Sequence, residues 1–200
     1  MSDSRRWSLV LLLVVSFGCI SSEVDPRCTI SSPPEYRGTV AQCVNASQFW
    51  QAYFDELESS SPGQPLIDFR LDMDREVTGR SRGDYDPGTV TVRFSVTDLR
   101  NRRRFYEREA EVRLDDIIFG NFSGDATRED IQQKAFEATE KKIYPHLEIW
   151  VNIAALRAMG QQKSAAAAFI PILEEAANNP WGEDIPDEAN TALGRLRGAR

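Results

Sequence analysis

The sequence is short of the residues from which most catalytic and metal sites are built. Its 200 residues include 3 cysteines and a single histidine, His146. Cys-x-x-Cys, His-Glu-x-x-His, Gly-x-Ser-x-Gly and glycine-rich phosphate-loop patterns are all missing. His146 follows Pro145 directly, and no motif places a serine or cysteine nucleophile beside it. We therefore predict no catalytic residue, no metal ligand and no cofactor.

Positive charge is also scarce. The chain has 24 lysines and arginines against 31 aspartates and glutamates, for a net charge of −7 at pH 7. Nucleic-acid binding depends on lysine and arginine contacts to phosphates, so this balance argues against nucleic acid as a partner. The 41% hydrophobic and 28% charged content is nevertheless typical of a globular protein.

No hydrophobic run is long enough to cross a membrane, but a short one lies near the N-terminus. Arg5 and Arg6 precede an apolar run from Trp7 to Phe17. Its length falls well short of the about 20 residues that a spanning helix needs. A basic start followed by a short apolar run is typical of an export signal, which we predict over residues 1–18.

The end of this run, Ser16-Phe17-Gly18-Cys19, resembles the lipobox of bacterial lipoprotein signals. Gly18 matches the small residue that precedes the acylated cysteine, whereas Ser16 departs from the usual aliphatic residue. The resemblance implies that Cys19 carries palmitate-type acyl chains that anchor the protein in the bacterial cell envelope. In a host with two membranes, it implies the periplasmic leaflet of the outer membrane. A signal cleaved without lipidation and an uncleaved anchor are the alternatives.

The two other cysteines follow this region closely. If Cys19 carries lipid, Cys28 and Cys43 remain as an even pair. In an oxidising compartment we expect them to form a disulfide, worth about 3 kcal/mol in the chain-entropy model. The alternative is that both thiols are free and buried. The proline and serine cluster at 31–34 favours an extended tether over residues 19–44.

Three later segments alternate between apolar and polar residues. They run from Ile67 to Met73, from Val90 to Val96 and from Tyr106 to Leu114. This period of two predicts a three-stranded antiparallel meander with one solvated face. The polar positions mix acidic and basic residues, which favours cross-strand ion pairs over a carboxylate site.

Helical spacing is found on both sides of the meander. A helix capped by Asn45 or Ser47 carries an aromatic stripe predicted to face the core. Further helices are expected up to Tyr144, where Pro145 ends or kinks the chain, and at 146–159, 164–177 and 186–197. We predict an α+β fold with an α-helical hairpin at its C-terminus. The predicted organisation is an export signal (1–18), a tether (19–44), an α+β domain (45–145) and a helical tail (146–200).

The tail contains an internal repeat with an offset of 34 residues. Val151, Ala155, Ala158, Met159 and Gly160 recur as Ile185, Ala189, Ala192, Leu193 and Gly194. With Ile170-Pro171-Ile172-Leu173 and Asn179-Pro180 between them, they resemble HEAT-like helical repeats of the bilin-lyase type. The resemblance covers about one and a half repeats and implies antiparallel helices brought close together by small alanine side chains. Pro186 and a longer turn at 181–184 depart from the pattern.

Four arginines crowd the predicted turn between the second and third strands: Arg100, Arg102, Arg103 and Arg104. A compact basic tip of this kind can contact anionic lipid headgroups or an acidic polymer. The alternative is a charged hairpin end that discourages association between sheet edges.

Together these features predict a non-catalytic, lipid-anchored envelope protein that acts as a protein-binding or assembly accessory module. Its expected partners are the membrane and another envelope protein. The alternative is a carboxylate-dependent hydrolase acting on cell-wall sugar. That activity needs two carboxylates about 5–10 Å apart in a cleft, one of them desolvated. The acidic residues here alternate along strands at solvated positions, which disfavours it.

Overall fold

The computed structural model describes residues 25–58, 64–76, 89–113, 128–178 and 184–198. In chain order the elements are β1 (Cys28–Ile30), α1 (Pro34–Ala46), α2 (Gln48–Glu58), β2 (Ile67–Glu76), β3 (Thr89–Asp98), β4 (Arg103–Arg113), α3 (Arg128–Met159), a 3-10 turn (Lys163–Ala165), α4 (Ala166–Ala177) and α5 (Asp184–Arg197). The predicted α+β class is confirmed. The export signal and Cys19 lie outside the described residues.

The sheet has four strands in the order β1-β2-β3-β4. The antiparallel meander of β2, β3 and β4 is present as predicted, with a bulge between Val96 and Thr97. The expectation of only three antiparallel strands is wrong, because β1 adds a parallel strand beside β2. The three residues of β1 are too few to show an alternation of apolar and polar residues, so this strand could not be predicted from its sequence. Its pairing with β2 depends on the rest of the fold. Beyond β1 the Ser32 hydroxyl, fully buried, accepts the backbone N–H of Leu71 at 2.7 Å.

The extended tether predicted for residues 19–44 is also wrong where the structure describes it, because α1 occupies Pro34–Ala46. Pro34 stands at the start of this helix, where its missing N–H costs nothing. Tyr36, Val40, Cys43 and Val44 are buried at helical spacing. Burial of this apolar stripe outweighs the local preference of the proline and serine cluster for an extended chain.

The aromatic stripe of α2 faces the core, as predicted. Trp50 is fully buried, with its ring centroid 5.0 Å from that of Phe69 on β2 and 5.4 Å from that of Phe54. Its indole N–H donates to the Val151 carbonyl at 2.8 Å, which ties α2 to α3. The N-cap role expected for Asn45 or Ser47 falls to Ser47, whose hydroxyl oxygen accepts the Trp50 backbone N–H at 3.3 Å.

Helix α3 continues through Pro145, so the predicted break or kink does not end the helix there. Ile143, Leu147 and Val151 are fully buried along one stripe that crosses the proline. Packing of this stripe offsets the roughly 3 kcal/mol that an internal proline costs. The proposed boundary at 145/146 therefore falls inside a helix, and residues on both sides share one hydrophobic core.

Helices α4 and α5 lie close to the predicted positions, and the repeated residues are buried alike. Ala155 and Ala189 are fully buried, as are Val151 and Ala192, with Ile185 and Leu193 almost so. The two glycines differ. A Cβ on Gly160 would lie 2.8 Å from that of Ala192, whereas one on Gly194 would meet nothing within 4 Å. Only Gly160 is needed for close approach between the helices.

The outer strand β4 carries positive charge at a central position on the helix-covered side of the sheet. Arg108 stands opposite the buried Phe94 in the β3–β4 register. It is nevertheless exposed, and among the described residues β4 is an edge strand of the sheet.

Candidate functional site

The sheet register brings the start of the described chain and the arginine-rich turn to the same end of the molecule. Cys28 pairs with Ile67, Ile67 with Asp98, and Asp98 with Arg103. Strands lie about 4.8 Å apart, so this row places the two edges about 14 Å apart. We call this the arginine end, formed by residues 25–28, 64–67 and 98–104.

Arg100 is tied inward rather than free at the tip. Its guanidinium binds both oxygens of Asp98, at 3.0 Å and 2.7 Å. It also donates to the Tyr53 hydroxyl at 3.3 Å, and Gln162 donates to the same oxygen at 3.2 Å. Burial raises the pKa of Tyr53 to about 12, so the phenol stays neutral. Arg100 therefore connects the β3–β4 turn to α2 and to the segment after α3.

A second arginine, which sequence reasoning missed, holds the start of the described chain. Arg27 binds Asp25 at 2.7 Å and Asp55 at 2.8 Å, and its guanidinium lies 5.2 Å from the ring centroid of Phe54. The hydrogen bond from Arg27 lowers the pKa of Asp25. No motif marks this network, because Asp55 lies on α2, far along the chain.

The three remaining arginines of the turn are exposed. Arg104 pairs with Glu107 at 2.9 Å, a solvent-exposed contact of little energetic value. Arg102 and Arg103 form no ion pair with any residue that the structure describes. Arg102 has φ of 55°, in the left-handed region, and Leu99 beside them is 36% exposed. The four predicted residues thus lie around one turn. Arg100 and Arg104 form ion pairs, whereas Arg102 and Arg103 form none with a described residue.

The predicted disulfide is not formed, and the alternative of two free, buried thiols is what the structure has. The Cys28 thiol lies 3.4 Å from the Asp25 carbonyl oxygen, while Cys43 is hydrogen-bonded to the Tyr144 side chain on α3. The two sulfurs thus contact different parts of the fold. Burial raises the pKa of each thiol to about 12, which keeps both protonated at neutral pH.

Cross-strand ion pairs cover the polar face of the sheet, as predicted. Arg93 on β3 binds Glu109 on β4 at 2.6 Å and Asp74 on β2 at 3.0 Å. Asp68 accepts hydrogen bonds from the hydroxyls of Thr29 and Ser31. These carboxylates are partnered and largely solvated, so this face does not resemble an acid–base site.

Several carboxylates are more deeply buried, and each has a guanidinium partner. The side chains of Asp25, Asp98 and Glu188 are 11%, 12% and 10% exposed. Their partners are Arg27, Arg100 and Arg157. The pKa of Asp25 is lowered by its hydrogen bond from Arg27, whereas the pKa of a glycosidase acid must be raised by desolvation.

A small groove lies between α2 and α4. It has a volume of about 190 Å³ and is lined by Gln48, Phe49, Ala52, Ile172, Glu175 and Ala176. Pockets for small molecules usually measure about 300–1,000 Å³. The groove is therefore the size of one or two side chains.

The described ranges offer neither a metal site nor a membrane-spanning helix. They contain no group of three or more histidine, cysteine, aspartate or glutamate residues suited to a metal ion. Nor does any helix in those ranges combine the length and apolarity required to cross a membrane. His146 is exposed on α3, with its ring centroid 6.3 Å from that of Trp150.

Comparison with known proteins gives little similarity. No protein-family model matches the chain, and no curated protein matches it. Among solved structures, it is similar to a chain described as a "putative lipoprotein from Caulobacter crescentus". The two are 11% identical with a TM-score of 0.33, over 63% of this chain and 90% of that one. A TM-score this low does not establish a shared fold.

Proposed function

We propose that this chain is a non-catalytic, lipid-anchored protein of the bacterial cell envelope that serves as a protein-binding or assembly accessory module. The observation that carries the proposal is the position of the lipobox-like Cys19, six residues before Asp25. From Asp25 onward the chain is held by the Arg27 network. Six residues span at most about 20 Å, so an acyl chain on Cys19 would keep the α+β domain against the membrane.

The absence of a catalytic role is supported by how the reactive groups are held. The buried carboxylates of Asp25, Asp98 and Glu188 are each bound by an arginine. The thiols of Cys28 and Cys43 are both protonated. The α2–α4 groove is small for a substrate but suits an apolar side chain of a protein partner.

The binding role draws on the helical tail. The matching burial of residues 34 positions apart supports the HEAT-like interpretation of residues 147–198. Repeat units of this kind use their exposed helix faces to bind proteins. The expected partner is another envelope protein, and in a host with two membranes the expected place is the periplasmic leaflet of the outer membrane.

Metabolic labelling with a fatty-acid probe tests the anchor. We expect the wild type and Cys28→Ala to incorporate the probe and to float with membranes, and Cys19→Ala to do neither. Ser16→Leu restores the aliphatic residue of the lipobox and should give labelling at least as strong as the wild type. Equal labelling of the wild type and Cys19→Ala would contradict the proposal.

The binding role is tested in the same host with a photo-crosslinking residue. We place it at Glu175 in the α2–α4 groove and, as the matched control, at the exposed Lys141 on α3. An envelope protein that is crosslinked from position 175 but not from position 141 would support the protein-binding role. Identical patterns from both positions would contradict it.

A further inference from the structure

We propose that the arginine end is the face of the domain turned toward the membrane, where Leu99, Arg102 and Arg103 contact anionic phospholipid headgroups. The inference rests on the proposed lipid anchor and adds to it an orientation and a ligand. It starts from the register that sets the first described residues and the β3–β4 turn at one end of the sheet.

The length of the linker limits which surface can reach the membrane. The six residues from Cys19 to Asp25 span at most about 20 Å. The turn at 99–102 lies about 14 Å across the sheet from β1, which is within that reach. Strands β2 and β3 are ten residues long, so the opposite end of the sheet is about 33 Å away. Contact through that end would require a longer linker.

The linker would also allow the polar face of the sheet to approach the membrane. Charge distinguishes that face from the arginine end. Among described side chains, that face carries Asp68, Asp72, Asp74, Glu107, Glu109 and Glu111 against Arg70, Arg93 and Arg104. An anionic surface repels this acidic excess. At the arginine end, Arg100 neutralises Asp98, and Arg27 binds both Asp25 and Asp55, which leaves one net negative charge in that trio. Arg102 and Arg103 form no ion pair there with a described residue, and they lie next to the exposed Leu99.

The backbone at Arg102 supports the same conclusion. Its φ of 55° lies in a region that glycine or asparagine adopts at lower cost than arginine. A strained residue at an exposed tip points to a role for its side chain. Here the side chain supplies one of the two unpaired positive charges.

Fluorescence quenching on vesicles tests the orientation with the full-length lipidated protein. One fluorophore is attached at Gln64→Cys, an exposed position at the arginine end, and another in a separate variant at Lys141→Cys. Acylation blocks Cys19, and burial keeps Cys28 and Cys43 protonated and unlabelled at neutral pH. The vesicles contain phosphatidylglycerol and a lipid with a nitroxide on its headgroup. We expect strong quenching at position 64 and weak quenching at position 141.

Charge variants then test the contact itself. Arg102→Asn/Arg103→Gln keeps a residue that tolerates the left-handed turn and removes both unpaired charges. It should reduce the preference for the arginine end by about fivefold per arginine. The control Arg37→Gln/Arg195→Gln removes the same charge outside both the arginine end and the polar sheet face, and should leave the preference intact.

The possible outcomes separate this inference from the anchor. Equal quenching at both positions in protein that floats with the vesicles overturns the orientation and leaves the anchor standing. Quenching that is unchanged in Arg102→Asn/Arg103→Gln overturns the headgroup contact. Wild-type protein that does not float overturns the anchor, and this inference with it.

Discussion

Two regions of one hydrophobic core are packed in opposite ways. In the aromatic region, where α2 meets the sheet, large rings fill the space: Trp50, Tyr53, Phe54, Phe69 and Phe94. In the alanine region, where α3 meets α5, the buried residues are small: Ala155, Ala158, Gly160, Ala189 and Ala192. The first region is therefore vulnerable to lost volume and the second to added volume.

Stacked rings connect the aromatic region to the helices of the tail, since Trp150 on α3 stacks on Phe94 with ring centroids 6.4 Å apart. Phe169 on α4 stacks on Tyr53 with ring centroids 5.9 Å apart and an interplanar angle of 11°. This contact, together with the continuous α3, predicts that the tail and the sheet unfold as one unit.

Deleting residues 164–200 should have the largest effect on the stability of the shared core. It removes Phe169 and uncovers Val151, Ala155 and Met159, which are fully buried in the intact chain. Exposing about 300 Å² of apolar surface costs up to about 7 kcal/mol, comparable to the stability of a whole domain. We expect the truncated protein to lose its cooperative thermal transition in circular dichroism. A monomer with an unchanged midpoint would instead make the tail an independent unit.

Within the aromatic region, Trp50→Ala should lower the free energy of unfolding by about 3–5 kcal/mol, because it leaves a large cavity. Trp50→Phe is the matched variant, since it keeps a ring but removes the hydrogen bond to the Val151 carbonyl. It should cost about 1–3 kcal/mol. Urea denaturation measures both. Equal losses in the two variants would mean that the hydrogen bond, rather than ring volume, sets the contribution of Trp50.

Within the alanine region, two glycine substitutions should have opposite signs. Gly160→Ala places a methyl group 2.8 Å from the Ala192 Cβ and should destabilise the protein by about 1–3 kcal/mol. Gly194→Ala adds a methyl group in open space within α5 and should stabilise it by about 0.5–1 kcal/mol. Differential scanning calorimetry of the two variants measures the direction of each change in melting temperature. A neutral Gly160→Ala would show that α3 and α5 pack less closely than described.

Regular patterns made much of this fold predictable, and short or interrupted ones did not. Strands β2 and β3 alternate over at least seven residues and β4 does so except at Arg108, so their period is clear. The buried positions of α1 also follow helical spacing. This helix was not predicted because Pro34 and Gly38 were interpreted as helix-breaking residues. A proline is harmless at the first position of a helix, and nothing lies within 4 Å of a Cβ at Gly38.

The candidate site was predictable only as far as residues adjacent in the chain. Four arginines in five positions mark the tip, but their partners come from other elements. Tyr53 on α2 accepts hydrogen bonds from both Arg100 and Gln162, and Asp55 on α2 pairs with Arg27. Such pairings depend on tertiary packing and leave no local pattern. The left-handed backbone of Arg102 was equally hidden, because arginine gives no signal for it.

The exposed Arg108 on β4 has a consequence for how two copies of this domain can associate. An outer strand exposes unpaired N–H and C=O groups that can accept the strand of a neighbouring molecule. Joining another strand to β4 would trap the Arg108 guanidinium between a lengthened sheet and whatever covered it, away from water. That desolvation penalty opposes growth of a continuous sheet from copy to copy. A single arginine on the apolar side of the outer strand thus helps keep copies of the domain separate.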